Sequence, residues 1–241
     1  MRVCLDPGHG GSDRANRGPT GYVEADGVLD IALRTRTLLL AAGFEVVMTR
    51  DKDVYLSLPA RMAIAANQKA DLFVSIHTDA FSSPQPHGCT VFCSAYDARS
   101  RSLAEAIEQA LRQAGRPSRG VKTRLLANGR DYYHVIREAK VPSLLVECAF
   151  HTNPAEEALL KTPEFRQLLA TAIAKGIQAF AGPQVVADAM IPILLDEKPL
   201  PVNGRLFNDV TYAPVRALAE ALGLTVVWDA KLRLVRLIRP E

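Results

Sequence analysis

The sequence predicts an α/β domain built on a mixed, mostly parallel sheet flanked by helices, followed by a small α+β module. Three observations carry this. Strand-like and helix-like patterns alternate from Arg2 to Ala181, the arrangement that layers helices on a largely parallel sheet. Asp71–His77 (DLFVSIH) is a near-continuous apolar run, as a strand buried on both faces requires. Gly182-Pro183 breaks the last helix, and the rhythm after it changes to short strands around one helix. The expected domains are therefore residues 1–182 and 183–241.

The elements follow in order. Arg2–Leu5 is a short strand ending in Asp-Pro-Gly. Ala25–Ala42 repeats apolar residues at helical spacing (Val28, Leu29, Ile31, Ala32, Leu38, Leu39), and Gly43 supplies the stop. Phe44–Thr49 is the next strand, and Leu58–Lys69 is a helix with Pro59 in its first turn. Gly88–Ser94 alternates as a strand, and Arg101–Ala114 is an amphipathic helix. Tyr132–Arg137 and Ser143–Glu147 read as strands, and Glu164–Ala181 as a long helix. In the last part Ile191–Leu195, Lys198–Val202 and Val210–Tyr212 are strand-like, and Pro214–Leu222 is a helix closed by Gly223. Thr225–Trp228 and Arg233–Ile238 flank a turn at Asp229-Ala230-Lys231. With about 50 patterned residues this module is marginal as an independent fold and is expected to lean on the first domain or on a partner.

Composition narrows the class. Hydrophobic residues make up 48% of the 241 and charged residues 23%, which excludes a disordered chain. Mean hydropathy is +0.03, but no apolar run reaches the ~18 residues of a membrane helix, so no membrane span is expected. A net charge of +3 on 29 basic and 26 acidic side chains is too small to indicate nucleic acid. Cys4 and Cys148 sit in apolar runs, and Cys89 and Cys93 lie four apart without a CxxC pair, so all four read as reduced, interior thiols.

Chemistry concentrates at a few positions. His9 follows the first strand in DPGHGG, where Pro7, Gly8, Gly10 and Gly11 shape a tight turn. His77 ends the strand FVSIH. Carboxyl ends of strands line the ligand crevice of an open α/β sheet, so both imidazoles can project from one edge. Glu24 precedes the first long helix, and Glu147 ends the run SLLVE, an unusual place for a carboxylate unless it is used or paired. Two histidines and one carboxylate with an open position make a common catalytic zinc set, and a further carboxylate nearby serves as general base. The alternative is that Glu24 is a helix N-terminal charge and the histidines are satisfied core residues. His87 reads as solvated and His134 as a strand residue that could line a groove with Tyr132 and Tyr133. His151 reads as a neighbour of the site, and Arg50 and Arg61 as partners of Asp51 or Asp53.

DPGHGG, Glu24 ahead of a helix, TRDKD at Thr49–Asp53, ADLFVSIHTDA and PSLLVECAFHTNPAEEALL stand in an order and spacing that resembles the zinc-dependent N-acetylmuramoyl-L-alanine amidases of the type-3 group. The resemblance covers about Arg2–Gly182 and implies the following. His9, Glu24 and His77 hold Zn2+, Glu147 is the catalytic acid, and the substrate is peptidoglycan. The bond cut joins the lactyl group of N-acetylmuramic acid to L-alanine of the stem peptide. The rival readings are a non-catalytic wall-binding protein and another zinc peptidase or esterase.

The departures are Asp79, where the family usually has Asn, and Ala149 in place of Gly. Only AFSSPQPHG follows His77-Thr78-Asp79 before the next strand, which leaves no room for the blocking helix of some cell-division members. MRVCLDPGHGG lacks the apolar core of a signal peptide. The expectation is therefore an enzyme made in the cytoplasm of a phage-infected host or spore mother cell, acting on the wall after release as an endolysin does. The C-terminal segment resembles the small domain named after the copper amine oxidase N-terminal region, through TYAPVRALAEALG to VVWD. It contains no His and no Cys, hence no copper set, and cell-wall binding is its expected role, with Trp228 either stacking on sugar or filling the small core.

Overall fold

The computed structural model describes residues 1–182, 190–195, 198–207, 210–212, 214–229 and 234–239. The chain divides into two compact units, Met1–Gly182 and Pro183–Glu241.

The first unit is built in the order β1 (Arg2–Pro7), α1 (Glu24–Ala41), β2 (Glu45–Met48), α2 (Leu58–Asn67), β3 (Leu72–Asp79), β4 (Cys89–Cys93), α3 (Ala98–Gln113), β5 (Ser118–Lys122), α4 (His134–Arg137), β6 (Ser143–Phe150), α5 (Pro154–Leu160) and α6 (Pro163–Ala181). One six-stranded sheet runs β2-β1-β3-β6-β4-β5, and every pairing is parallel except β4 with β6.

The two faces of the sheet differ, and the strand period of two explains how. Val3 and Leu5 of β1, Leu72, Val74 and Ile76 of β3, and Leu144 and Val146 of β6 join one core with Ile31 and Leu39 of α1, Ile107 and Leu111 of α3, and Ile173 and Ile177 of α6. This face is apolar along its whole length, and each such side chain, fully buried, is worth ~1.5–3 kcal/mol. Helices α3 and α6 approach closely because residue 176 is glycine: a Cβ there would lie 2.4 Å from the Ile107 Cα.

The alternate residues face the other way. Cys4, Phe73 and Leu145 form a smaller cluster with Ala65 of α2 and with Val135 and Ile136. Two residues further along the same strands stand Asp6, Ser75 and Glu147, and beyond Ser75 stands His77. The second face is thus apolar at the start of the strands and polar at their carboxyl ends, which is where a site can form.

Three elements depart from expectation. Tyr132–Arg137 is not a strand: His134–Arg137 is the one-turn helix α4, and the chain before it folds back through a Leu125–Asp131 bridge. Arg137 fixes this shape by donating to the Asp131 and Tyr132 carbonyls, both at 2.8 Å. Strand β5 (SRGVK) escapes detection because it is a polar edge strand without alternation. Helix α5 is short, but Asn153 caps it, accepting from Ala155 and Glu156, and Pro154 begins it. All four cysteines are buried and free, and burial pushes the Cys4 thiol up to about 12.

In the second unit β7 (Met190–Leu195), β8 (Lys198–Phe207) and β9 (Val210–Tyr212) form an antiparallel sheet, α7 spans Val215–Ala221, and β10 (Thr225–Asp229) pairs antiparallel with β11 (Leu234–Ile238). Gly223 follows α7 at φ 72, the left-handed stop its position suggested. Trp228 stands opposite Val235 in the ladder; the surroundings of its ring, and the turn at Ala230 and Lys231, lie outside the described residues. No helix among the described residues is long and apolar enough to cross a membrane.

Candidate metal centre and active site

The site is assembled where β1 and β3 end. Gly8 extends the ladder by one bond, its N–H donating to the Ile76 carbonyl at 3.0 Å. A Cβ on residue 8 would lie 2.1 Å from His77 Cε1, so the His77 ring packs across this glycine. His9 comes next, at φ 58, a left-handed conformation rarely adopted by a residue with a side chain. Its Nδ1 lies 2.9 Å from Asp13 Oδ2, which leaves Nε2 facing inward.

Glu24 opens α1 and is 1% exposed. Its Oε2 lies 3.3 Å from His9 Nε2, and its Oε1 lies 3.0 Å from His77 Nδ1. Thr78 N–H donates to Oε1 at 2.9 Å, and the Asn16 side-chain amide donates to Oε2 at 2.9 Å. Burial opposes the charged form of Glu24, but His77 and His9 outweigh it and hold the carboxyl well below the usual range. The loop before Glu24 is pinned from α5: the fully buried Glu157 accepts from Thr20 N–H at 2.9 Å and from Tyr22 N–H at 3.0 Å.

One ligand atom each from His9, Glu24 and His77 lie within 4.8 Å of one another. Two imidazole nitrogens and one carboxylate oxygen suit zinc in number and kind, so the residues fit the metal that the sequence implies. His151 is buried beside them, with Nδ1 3.0 Å from Thr78 Oγ1 and 4.0 Å from Glu24 Oε2.

Glu147 stands next to His77 in the β3–β6 register. Its Oε2 is buried and has no hydrogen-bond partner among the described residues. Burial, then the negative charges of Glu24 and Asp79, push its pKa well above the ordinary glutamate value. His9, His77 and Glu147 share an open cleft of about 640 Å³, walled by Tyr55 and Leu58 on α2 and the turn before it and by Tyr132, Tyr133 and His134 around α4. Arg124 stacks over the Tyr132 ring at 3.7 Å. His87 is exposed, outside the site.

Arg50 and Arg61 do not pair with Asp51 or Asp53. Arg61 pairs with the buried Asp6 at 2.8 Å and donates to the His9 carbonyl at 2.7 Å. Arg50 donates to backbone carbonyls, and Asp53 instead accepts from Gly11 N–H at 2.7 Å and from Arg14 at 2.6 Å. TRDKD folds around the DPGHGG turn, whose carbonyls and N–H groups take these side chains as partners. Asn16, Thr78 and Asp13, all in contact with the triad, escape sequence reading because nothing local marks them.

An α/β sheet that gathers two imidazoles and a carboxylate at one edge, beside a buried glutamate oxygen and an open cleft, has the layout of a metallohydrolase. The family model for N-acetylmuramoyl-L-alanine amidases matches residues 3–179, and the chain belongs to that family. It is 36% identical over 222 residues to the amidase AmiC of Neisseria meningitidis, covering 76% of this chain and 53% of the relative, so the chain spans about half that protein's length. It is 34% identical over 217 residues to AmiA of Escherichia coli, covering 74% of this chain and 75% of the relative. The solved catalytic domain of CwlV, the amidase from Paenibacillus polymyxa, superimposes with a TM-score of 0.70 at 30% identity, covering 76% of this chain and 99% of that one. A second family model, for the copper amine oxidase N-terminal domain, matches residues 189–238.

Proposed function

We propose that this chain hydrolyses the amide between the lactyl group of N-acetylmuramic acid and L-alanine of the peptidoglycan stem. The observation that carries the reading is the convergence of one ligand atom each from His9, Glu24 and His77 within 4.8 Å, with His9, His77 and Glu147 lining one cleft. In this reading His9 Nε2, a Glu24 oxygen and His77 Nδ1 hold one zinc ion. Bound there, zinc supplies a Lewis acid that polarises an amide carbonyl and acidifies water.

The side chains do the rest. Asp13 fixes the His9 ring through Nδ1, and Thr78 and Asn16 fix the Glu24 carboxylate. Glu147 carries the proton: its carboxylate accepts one from the attacking water and returns it to the departing alanine amine. The buried, partnerless Oε2 supports this role, because a structural carboxylate is expected to be paired. The exposed rings of Tyr55 and Tyr132 offer surfaces for the glycan and peptide on either side of the scissile bond.

The C-terminal module is proposed to hold the enzyme on the wall, raising local substrate concentration. Metal analysis of the purified chain tests the reading: one zinc per chain, lost in His77→Ala, with lysis abolished by EDTA and restored by zinc. Full zinc content in His77→Ala would sink the ligand assignment.

A further inference from the structure

Arg50 is 3% exposed, yet its hydrogen bonds go to neutral acceptors. Nε donates to the Pro7 carbonyl at 3.0 Å, Nη2 to those of Gly8 at 2.7 Å and Ala25 at 2.8 Å, and Nη1 to that of Lys52 at 3.2 Å. A buried cation without a hydrogen-bonded carboxylate is unfavourable for stability alone.

Lys52 lies in the loop of Arg50 itself, and the other three acceptors belong to two segments that must meet. Pro7 and Gly8 lead directly into His9, the residue held at φ 58. Ala25 follows Glu24 in the first turn of α1. Arg61 also grips the His9 turn, donating to the Pro7 and His9 carbonyls at 2.7 Å each, but its carboxylate partner is Asp6 of β1, and its bonds do not reach α1. Among the described residues, Arg50 is the guanidinium that donates to carbonyls of both segments.

We infer that Arg50 is a positioning residue for the metal centre: by tying the His9 turn to the first turn of α1, it sets the separation of His9 and Glu24. The inference rests on the reading of His9, Glu24 and His77 as metal ligands. The planar fork is needed for it. Lysine keeps the charge but presents one ammonium, which cannot serve carbonyls on both segments in the same directions. Without the clamp the His9 turn keeps its bonds to Arg61 but loses the Arg50 tie to the first turn of α1, and the two donor atoms separate.

The test compares the full-length chain with Arg50→Lys, Arg50→Gln and a control, Leu111→Ala, which empties a core position on α3. Zinc affinity is measured by competition with a chelating dye, coordination by the visible bands of the Co2+-loaded protein, and folding by circular dichroism and Tm in EDTA. Both Arg50 variants are expected to bind zinc ~10–100-fold more weakly, the range seen when groups that orient ligands are removed. Their Co2+ bands should weaken, while Leu111→Ala loses Tm but keeps zinc affinity. If Arg50→Gln does not fold, Arg50→Lys decides. Zinc bound as tightly by a folded Arg50 variant as by the wild type, or weakened equally by Leu111→Ala, overturns this inference alone. A wild-type chain that takes up no zinc overturns it together with the ligand assignment.

Discussion

His77 and Glu147 are register partners on adjacent parallel strands, so their side chains leave the same face of the sheet side by side. The proposed metal ligand and the proposed proton carrier are therefore fixed by backbone hydrogen bonds rather than by loops. Glu147→Gln keeps shape and removes the base. It should retain zinc and lose ~10²–10⁴-fold in kcat/KM on a soluble muropeptide. Loss of the metal with the activity would make Glu147 a ligand instead.

The environment of Glu147 sets a pH dependence. In the zinc-free chain, burial and the charges of Glu24 and Asp79 raise its pKa. The carboxyl infrared bands of the zinc-free chain, compared with those of Glu147→Gln, should therefore show Glu147 protonated at pH values above the ordinary glutamate value of ~4.3. Zinc, whose positive charge favours the carboxylate, should lower that transition. A zinc-free transition at or below ~4.3 would contradict the environment described for Glu147.

Gly8 tests the packing beneath the proposed metal centre. A methyl group at residue 8 would meet the His77 ring at 2.1 Å, so Gly8→Ala should displace the imidazole and lower zinc content without unfolding the sheet. Circular dichroism and metal analysis on the same sample check it; unchanged zinc and activity would show that the ring has room to move.

Much of this arrangement was legible in the sequence. The parallel α/β class followed from DLFVSIH and the helical spacing of Val28, Ile31 and Leu39, because a strand buried on both faces has a pattern of its own. His77 and Glu147 stand out because each ends an apolar run, and His9 because it follows the first strand in a glycine-rich turn. What stayed hidden depends on long-range contact. Nothing near Arg50 in sequence shows that it grips Gly8 and Ala25, and Asn16 reaches Glu24 only because Glu157, far along the chain, pins the loop between them. The short α4 carries no helical signature in the sequence, because one turn is too brief to show a period.

The two compact units make the module's role testable. Residues 1–182 alone should bind zinc and cut small soluble muropeptides at near the full rate, but pull down less with intact wall and lyse it more slowly. Equal lysis and equal pull-down by the two forms would leave the module a stability or dimer element.

The central claim concerns which bond is cut. Purified peptidoglycan digested with the zinc-loaded chain and read by mass spectrometry should yield intact glycan strands with free lactyl carboxyl groups and stem peptides with a free L-alanine amine. Products shortened within the stem or within the glycan, with no new alanine N-terminus, would contradict it.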